Sequence, residues 1–278
     1  MGVVAEIERE LFEHRCRQRA DDTPELRTST MTHVVWVPPE WLARAHQVLA
    51  GLDERHPART ILLVPDRGGA DGVSAKVAIR DFAVGDGREV LSEVIELQLR
   101  GRAADHPASL VLPLLIADLP AFCRWRGEPR WEGNALEELV AVCDRLVIDS
   151  AEWRSPVRGY KRLEGLFDRI AVSDLAWRRG LPWRAALAAR WPEIRRIERL
   201  RVEGPLADAQ LLAGWLRARL RRPVTLSRRS ADALTAVWAD GDPVQPPTGP
   251  AASASELLSA ELDTLGRDPV YEAAVCAV

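Results

Sequence analysis

Lysine is almost missing from this 278-residue chain, in which Lys76 and Lys161 stand among 38 basic residues. Nearly every positive charge is therefore a guanidinium, which stays charged at physiological pH and binds carboxylates with two parallel hydrogen bonds. We interpret the bias as a codon preference of the genome and not as a functional signal by itself.

Long apolar segments are missing as well. The most apolar run, residues 108–117, is ten residues long and contains a proline, whereas a membrane-spanning helix needs about 20 residues. The first 19 residues carry acids and bases at short intervals and lack the apolar centre of a secretory signal. The sequence predicts a cytoplasmic protein with no membrane segment.

Patterns that bind metals are also lacking. The four cysteines, at 16, 123, 143 and 276, form no CxxC pair, and we expect free thiols, mostly buried, in a reducing compartment. None of the five histidines stands in an HxH or HxxxH pair. We therefore predict no metal and no cofactor, and we interpret His33 as a core residue with hydrogen-bond partners.

Motifs of catalysis and nucleotide binding do not occur either. There is no GxxxxGK[ST] loop and no GxSxG turn. The glycines of 67–72 lack the GxGxxG spacing, and a strand pattern follows them where a phosphate-binding loop needs a helix. The sequence predicts no catalytic residue.

What the chain does have is a clear α/β pattern. A β-branched run at 29–38 is followed by a helical pattern at 40–54 and a second buried strand at 56–66, which favours two parallel strands joined by a crossover helix. Alternating segments at 72–84 and 88–101, joined by the turn residues 85–87, indicate a β-hairpin. The sheet is therefore expected to be mixed.

Two α/β domains are predicted, each with a mixed sheet flanked by helices. The first spans residues 1–155 and includes an apolar segment, 105–120, expected to be helical. The second and smaller one spans 156–278. It contains a loop rich in Pro and Gly at 240–254.

Polar residues flank the ends of two buried strands. Arg59 and Thr60 open one strand, and Asp149 and Glu152 follow another. Strand ends of twisted α/β sheets are common ligand sites, so these four residues are a candidate pocket for a phosphorylated metabolite. The alternative is an internal pair between arginine and carboxylate.

Charge is distributed unevenly. Residues 173–229 carry 14 Arg against five acidic residues, and residues 230–278 carry one Arg against eight. The basic segment is suited to an acidic partner, or to the acidic end of the same chain.

The basic segment begins with SDLAWRRGLPWRAALAARW, residues 173–191. Trp183, Leu187 and Trp191 are spaced as one helical stripe, and Arg184 lies off it, which indicates a helix that buries tryptophan and exposes arginine. We therefore expect no nucleic-acid surface here.

Several phrases together resemble the OpcA family of glucose-6-phosphate dehydrogenase assembly proteins of actinobacteria and cyanobacteria. In chain order they are RTSTMTHVVWV, HPARTILLVPD, SLVLPLLIADLPAFCRWRG, DRLVIDSAEW, SDLAWRRGLPWRAALAA, ADAQLLAGWLRARL and ELLSAELDTLGRDPVYEAAV. The arginine bias fits an actinobacterial source.

The resemblance implies a cytoplasmic, non-enzymatic protein that binds glucose-6-phosphate dehydrogenase of the oxidative pentose phosphate pathway and activates it allosterically or assembles it. It supplies no interface residues. From composition alone we select Trp177, Arg178 and Arg179, which either hold the two domains together, the role we favour, or contact the dehydrogenase. The alternative function is a sensor module that binds a sugar phosphate or nucleotide.

Overall fold

The computed structural model describes residues 2–19, 25–26, 29–52, 55–68, 70–84, 88–245 and 249–278, which contain both helices and strands. The helices are α1 (Val3–Arg19), α2 (Leu42–Ala50), α3 (Ala108–Val111), α4 (Asn134–Val142), α5 (Pro156–Leu163), α6 (Leu175–Arg179), α7 (Leu181–Ala188), α8 (Leu206–Leu220), α9 (Ala254–Leu262) and α10 (Pro269–Cys276). The strands are β1 (Glu25–Leu26), β2 (Met31–Trp36), β3 (Ala58–Asp66), β4 (Gly72–Val84), β5 (Arg88–Arg100), β6 (Ala121–Trp125), β7 (Arg145–Ile148), β8 (Ala171–Asp174), β9 (Arg199–Gly204), β10 (Thr225–Ser230), β11 (Ala236–Ala239) and β12 (Asp242–Pro243).

These elements form two compact units. The first is Met1–Val147 together with Ala254–Leu265, and the second is Ile148–Ser253 together with Gly266–Val278. Both contain helices and strands, and the predicted α/β class with mixed sheets is confirmed. The sequence predicts a single division at residue 155. In the structure the chain returns to the first unit for Ala254–Leu265.

The first unit is built on a sheet with the strand order β1-β5-β3-β2-β6-β7, in which β4 also pairs with β5. Strands β2 and β3 are parallel, as the sequence predicts. Both are buried along most of their length because their continuous apolar runs have no polar face to turn toward water. Trp36 and Trp125 pair across β2 and β6 and stack with ring centroids 4.7 Å apart.

The predicted hairpin is confirmed. Strands β4 and β5 are antiparallel from the pair Gly72 and Arg100 to the pair Val84 and Arg88. The turn residues 85–87 lie outside the described residues. Since β5 is parallel to β3 on its other side, the sheet is mixed.

Helix α9 packs into the first unit although some hundred residues of the second unit precede it. It buries Leu257, Leu258 and Leu262. Its polar groups also pair: Ser259 Oγ lies 2.8 Å from His56 Nε2, and Glu261 lies 3.6 Å from the Arg145 guanidinium.

The second unit has a sheet with the order β10-β9-β11-β12. Alternate residues of β9, Leu200 and Val202, are buried and join a core with α7 and α8. Helix α10 lies so close to α8 that a Cβ on Gly214 would stand 2.2 Å from the Ala274 carbonyl oxygen. The glycine of the LLAGWL phrase is therefore required for helix packing.

Some predictions about local structure were wrong. The expected helix at 105–120 is a set of short turns: a 3-10 turn at Gly101–Asp105, α3, and a 3-10 turn at Leu112–Leu114. Pro113 explains the break, because proline lacks the N–H that a continuing helix uses. Strand β8 and helix α6 were not predicted.

The loop predicted at 240–254 is only partly described, since residues 246–248 lie outside the described residues. Its first residues pair briefly with β11 as β12. None of the helices in the described part of the chain combines the length and hydropathy needed to cross a bilayer.

We predict that Glu261→Ala lowers the free energy of unfolding by about 3 to 5 kcal/mol, because it removes a carboxylate from a buried guanidinium. The side chains of Arg145 and Glu261 are 2% and 7% exposed. Denaturant unfolding measures the change. Glu256→Ala, an exposed position on the same helix, is the matched control, and an equal effect of both variants would rule out the ion pair as the cause.

Candidate functional site

The segment DLAWRRG, residues 174–180, forms a strand end and a short helix. Asp174 closes β8 and caps α6, and its Oδ1 accepts a hydrogen bond from the Ala176 N–H at 2.9 Å. An aspartate in this position satisfies N–H groups that the first turn of a helix leaves without partners. The cap fixes the direction in which Trp177, Arg178 and Arg179 leave the backbone.

Trp177 is buried, with 7% of its surface exposed. Its Nε1 donates to Asp268 Oδ2 at 2.9 Å, while Asp268 Oδ1 accepts from the N–H groups of Val270 and Tyr271 at the start of α10. One carboxylate thus caps α10 and holds the indole ring.

Arg184 stacks over a face of this ring. Its guanidinium carbon lies 3.3 Å from the centroid of a Trp177 ring, and its Nη1 donates to the Trp177 carbonyl oxygen at 2.6 Å. The sequence predicted an exposed Arg184, and that prediction was wrong because the cation stacks on an aromatic face within the same unit.

Arg179 lies between two carboxylates that come from distant parts of the second unit. Its Nη2 donates to Asp149 Oδ1 at 2.9 Å, and its Nε donates to Asp208 Oδ1 at 3.0 Å. Burial acts to lower the pKa of Arg179, but the two carboxylates outweigh it, so the pKa stands above its ordinary value. Arg178, the neighbouring candidate, is half-buried in the last turn of α6.

Asp208 is the most enclosed member of this group, with a fully buried side chain. Burial raises its pKa, and the Arg179 charge acts in the opposite direction. Its Oδ2 has no hydrogen-bond partner among the described residues. The carboxylate therefore depends on Arg179 for its compensation.

Asp174 adds a third carboxyl group to the same region. Its Oδ1 accepts from the Ser150 N–H at 3.0 Å, and its Oδ2 accepts from the Tyr271 hydroxyl at 3.3 Å. Burial raises the pKa of Asp174 to about 7, and the nearby charge of Asp149 contributes. The Asp174 carboxyl group thus changes its protonation state near neutral pH.

This network has the features of a buried charge cluster that stabilises a local fold. Within the described residues, no group of three or more His, Cys, Asp or Glu is placed to hold a metal ion. The cluster can fix the orientation of α6 and respond to pH.

The four residues of the candidate ligand pocket lie on different units. Arg59 and Thr60 are on β3 of the first unit, and Asp149 and Glu152 follow β7 in the second. Arg59 donates to Glu93 Oε2 at 2.7 Å and to the Leu114 carbonyl at 2.9 Å. Both Arg59 and Asp149 thus have internal partners of opposite charge, and the pocket stays a prediction.

His33 lies in the core, as expected, with 2% exposure. Burial lowers its pKa to about 3, and the positive charge of Arg124 acts in the same direction. The expected hydrogen bonds are incomplete, because His33 Nε2 has no partner among the described residues.

The cysteines are free thiols. Cys123 and Cys143 are buried, whereas Cys16 and Cys276 are exposed, so the expectation of mostly buried thiols holds for half of them.

Trp191, like Arg184, lies where the sequence did not predict it. Trp183 and Leu187 are buried as predicted, but Trp191 is 64% exposed. Helix α7 ends at Ala188, so the stripe does not reach Trp191. Pro192 was the available signal, because the residue before a proline is disfavoured in a helix.

The fold and the polar cluster define a two-unit α/β protein whose charged groups at strand ends are paired internally. Two models of one protein family match it: the glucose-6-phosphate dehydrogenase subunit N-terminal domain over residues 50–165 and the C-terminal domain of the same subunit over residues 170–275. The chain belongs to this family, known as OpcA.

Two cyanobacterial proteins are similar to the chain, and each carries the provisional name OxPP cycle protein OpcA. The protein of Nostoc punctiforme is 30% identical over 191 residues, which are 64% of this chain and 41% of the relative. That of Synechococcus elongatus is 28% identical over 178 residues, which are 60% and 40% of the two chains. The matched part thus spans about two fifths of the length of these relatives.

We predict that Asp174→Asn raises the free energy of unfolding, relative to the unmodified chain, by more at pH 8 than at pH 5. An aspartate with a folded pKa near 7 and an ordinary value of 3.8 retains its proton in the folded state while the unfolded chain loses it, so stability falls as pH rises from about 4 to about 7. The asparagine oxygen can still accept from Ser150 and Ala176. Urea unfolding should show a gain of at least about 1 kcal/mol at pH 8 compared with pH 5; equal effects at both pH values would contradict the shift.

We also predict that Arg179→Met lowers the free energy of unfolding by about 3 to 5 kcal/mol, because it leaves the buried Asp208 carboxylate uncompensated. Arg179→Lys restores the charge without the bidentate fork and should give an intermediate value. Unfolding midpoints measure both. If Arg179 acted only on an external partner, Arg179→Met would unfold at the same denaturant concentration as the unmodified chain.

Proposed function

We propose that this chain binds glucose-6-phosphate dehydrogenase and acts on it as a non-catalytic assembly factor and allosteric activator. The observation that carries the proposal is the match of both domains of the dehydrogenase subunit family, in order, along residues 50–165 and 170–275. The related cyanobacterial proteins bear names from the oxidative pentose phosphate pathway, which is consistent with this partner. We place the chain in the cytoplasm, and an actinobacterial source is part of the proposal.

The internal pairing of the charged groups favours a protein that binds the dehydrogenase over a sensor that binds a sugar phosphate. A phosphate site needs cations that are available to the ligand. Arg59 and Arg179 would be the natural candidates, and each already donates to carboxylates within its own unit.

An activator works by differential affinity. If the chain binds the active form of the dehydrogenase ten times more tightly than the inactive form, it shifts the equilibrium between them by about 1.4 kcal/mol. The activator contributes no chemical group to the reaction, and its surface has only to distinguish two shapes of one partner.

We predict that the purified chain and the dehydrogenase of the same organism elute together in size-exclusion chromatography. The chain should also lower the glucose 6-phosphate concentration that gives half-maximal rate, or increase the fraction of assembled dehydrogenase. An unrelated protein of equal mass and concentration is the control. Separate elution at low and at physiological salt, combined with unchanged kinetics, would refute the proposal.

A further inference from the structure

A tryptophan lies on the surface of the second unit where the chain leaves α7. Trp191 is 64% exposed, although burying an aromatic side chain of this size is strongly favourable. The backbone around it is ordered by hydrogen bonds from Trp191 N to the Ala188 carbonyl at 3.1 Å and from Ile194 N to the Arg190 carbonyl at 3.0 Å. The ring is thus presented on a fixed turn.

Two buried isoleucines anchor this turn. Ile194 and Ile197 are 9% and 2% exposed and belong to the core of the second unit. Ile194 lies within the 3-10 helix Glu193–Arg196, and Ile197 caps its end. These two side chains fix the turn to the core, whereas Trp191, just before the turn, stays exposed.

Two exposed arginines belong to the turn that follows Trp191. The Arg195 guanidinium carbon lies 5.4 Å from the centroid of a Trp191 ring, and Arg196 is the next residue along the chain. Among the described residues, the carboxylates near this turn pair with other arginines: Asp240 with Arg199 and Glu198 with Arg222. Trp191 and its neighbours therefore combine a large apolar group with two cations available to a partner.

The residues that follow Trp191 line a cleft of about 700 Å³, namely Pro192, Glu193, Arg195 and Arg196. We call Trp191 and these four residues the Trp191 surface. Tryptophan and arginine are the residue types enriched in the energetic centres of protein interfaces.

The chemistry of the cleft favours a protein over a nucleic acid. Glu193 lines it, and a second cleft, which also includes Glu193, is bordered by Asp240 and Asp242. These carboxylates would repel a phosphate backbone. A folded protein can place its acidic groups opposite Arg195 and Arg196 and other groups opposite Glu193.

Helix α10, at the acidic end of this chain, has its own place in the second unit. It packs on α8 with Tyr271, Ala274 and Val275 buried, while Trp191 remains 64% exposed.

We propose that the Trp191 surface is the contact for an acidic face of the partner dehydrogenase, with Trp191 inserted into an apolar depression of that face and Arg195 and Arg196 paired with its carboxylates. This inference rests on the proposed function, because the partner is the one proposed there. It assigns the contact to a site other than Trp177, Arg178 and Arg179.

The test uses the 278-residue chain and the dehydrogenase of the same organism, with Kd measured by calorimetry or by binding to surface-bound dehydrogenase. Trp191→Ala should raise Kd at least about tenfold, because burial of an aromatic anchor is lost. The matched control is Phe12→Ala, since Phe12 is also 64% exposed and lies on the first unit. Melting temperatures of both variants show that the fold is kept.

Charge is tested separately. The double variant R195E/R196E should weaken binding at low salt by more than Trp191→Ala does, and its Kd should depend less on salt than that of the unmodified chain. Arg44→Glu, an exposed arginine on α2, is the control for charge alone.

The outcomes separate the two proposals. If the unmodified chain binds the dehydrogenase and Trp191→Ala and R195E/R196E bind equally well, the Trp191 surface is not the contact while the proposed function stands. If the unmodified chain does not bind, the proposed function fails, and the surface assignment fails with it. Loss of binding in Phe12→Ala and Trp191→Ala alike would also overturn the assignment.

Discussion

The need to compensate buried charged groups organises both units. The buried Arg145 meets Glu261 in the first unit, and the half-buried Arg179 meets Asp149 and the buried Asp208 in the second. A guanidinium cannot lose its proton to escape burial, as a lysine can, so each buried arginine needs acceptors at fixed positions. In a chain with two lysines, this requirement decides where distant segments come to lie.

Local patterns were sufficient for elements whose sequence carries one strong signal. Strands β2 and β3 follow from continuous β-branched and apolar runs, and the hairpin follows from alternation around turn residues. Where two signals compete, the predicted element was wrong. Residues 105–120 are apolar enough for a helix, yet Pro113 interrupts the hydrogen bonds of a continuous helix. Strand β8 has four residues, too few for any periodicity to show.

The pairings within the polar cluster could not be predicted from the sequence, for a different reason. The sequence singled out Trp177, Arg179 and Asp149, but it could not show that Arg179 pairs with Asp208 or that Trp177 donates to Asp268, 91 residues further along the chain. Such pairs are set by packing of the whole unit. Composition alone therefore marks a dense group of Trp and Arg without separating those that pack inward from those that, like Trp191, remain outside.

Helix α9 has a consequence for how the protein is made and inherited. It belongs to the first unit, but the ribosome adds it only after residues 148–253 of the second. During synthesis Arg145 and His56 cannot pair with Glu261 and Ser259 until most of both units has been made. A gene cut between the units at one point would leave the first without this helix, so we expect the two units to be exchanged between genomes only as one piece.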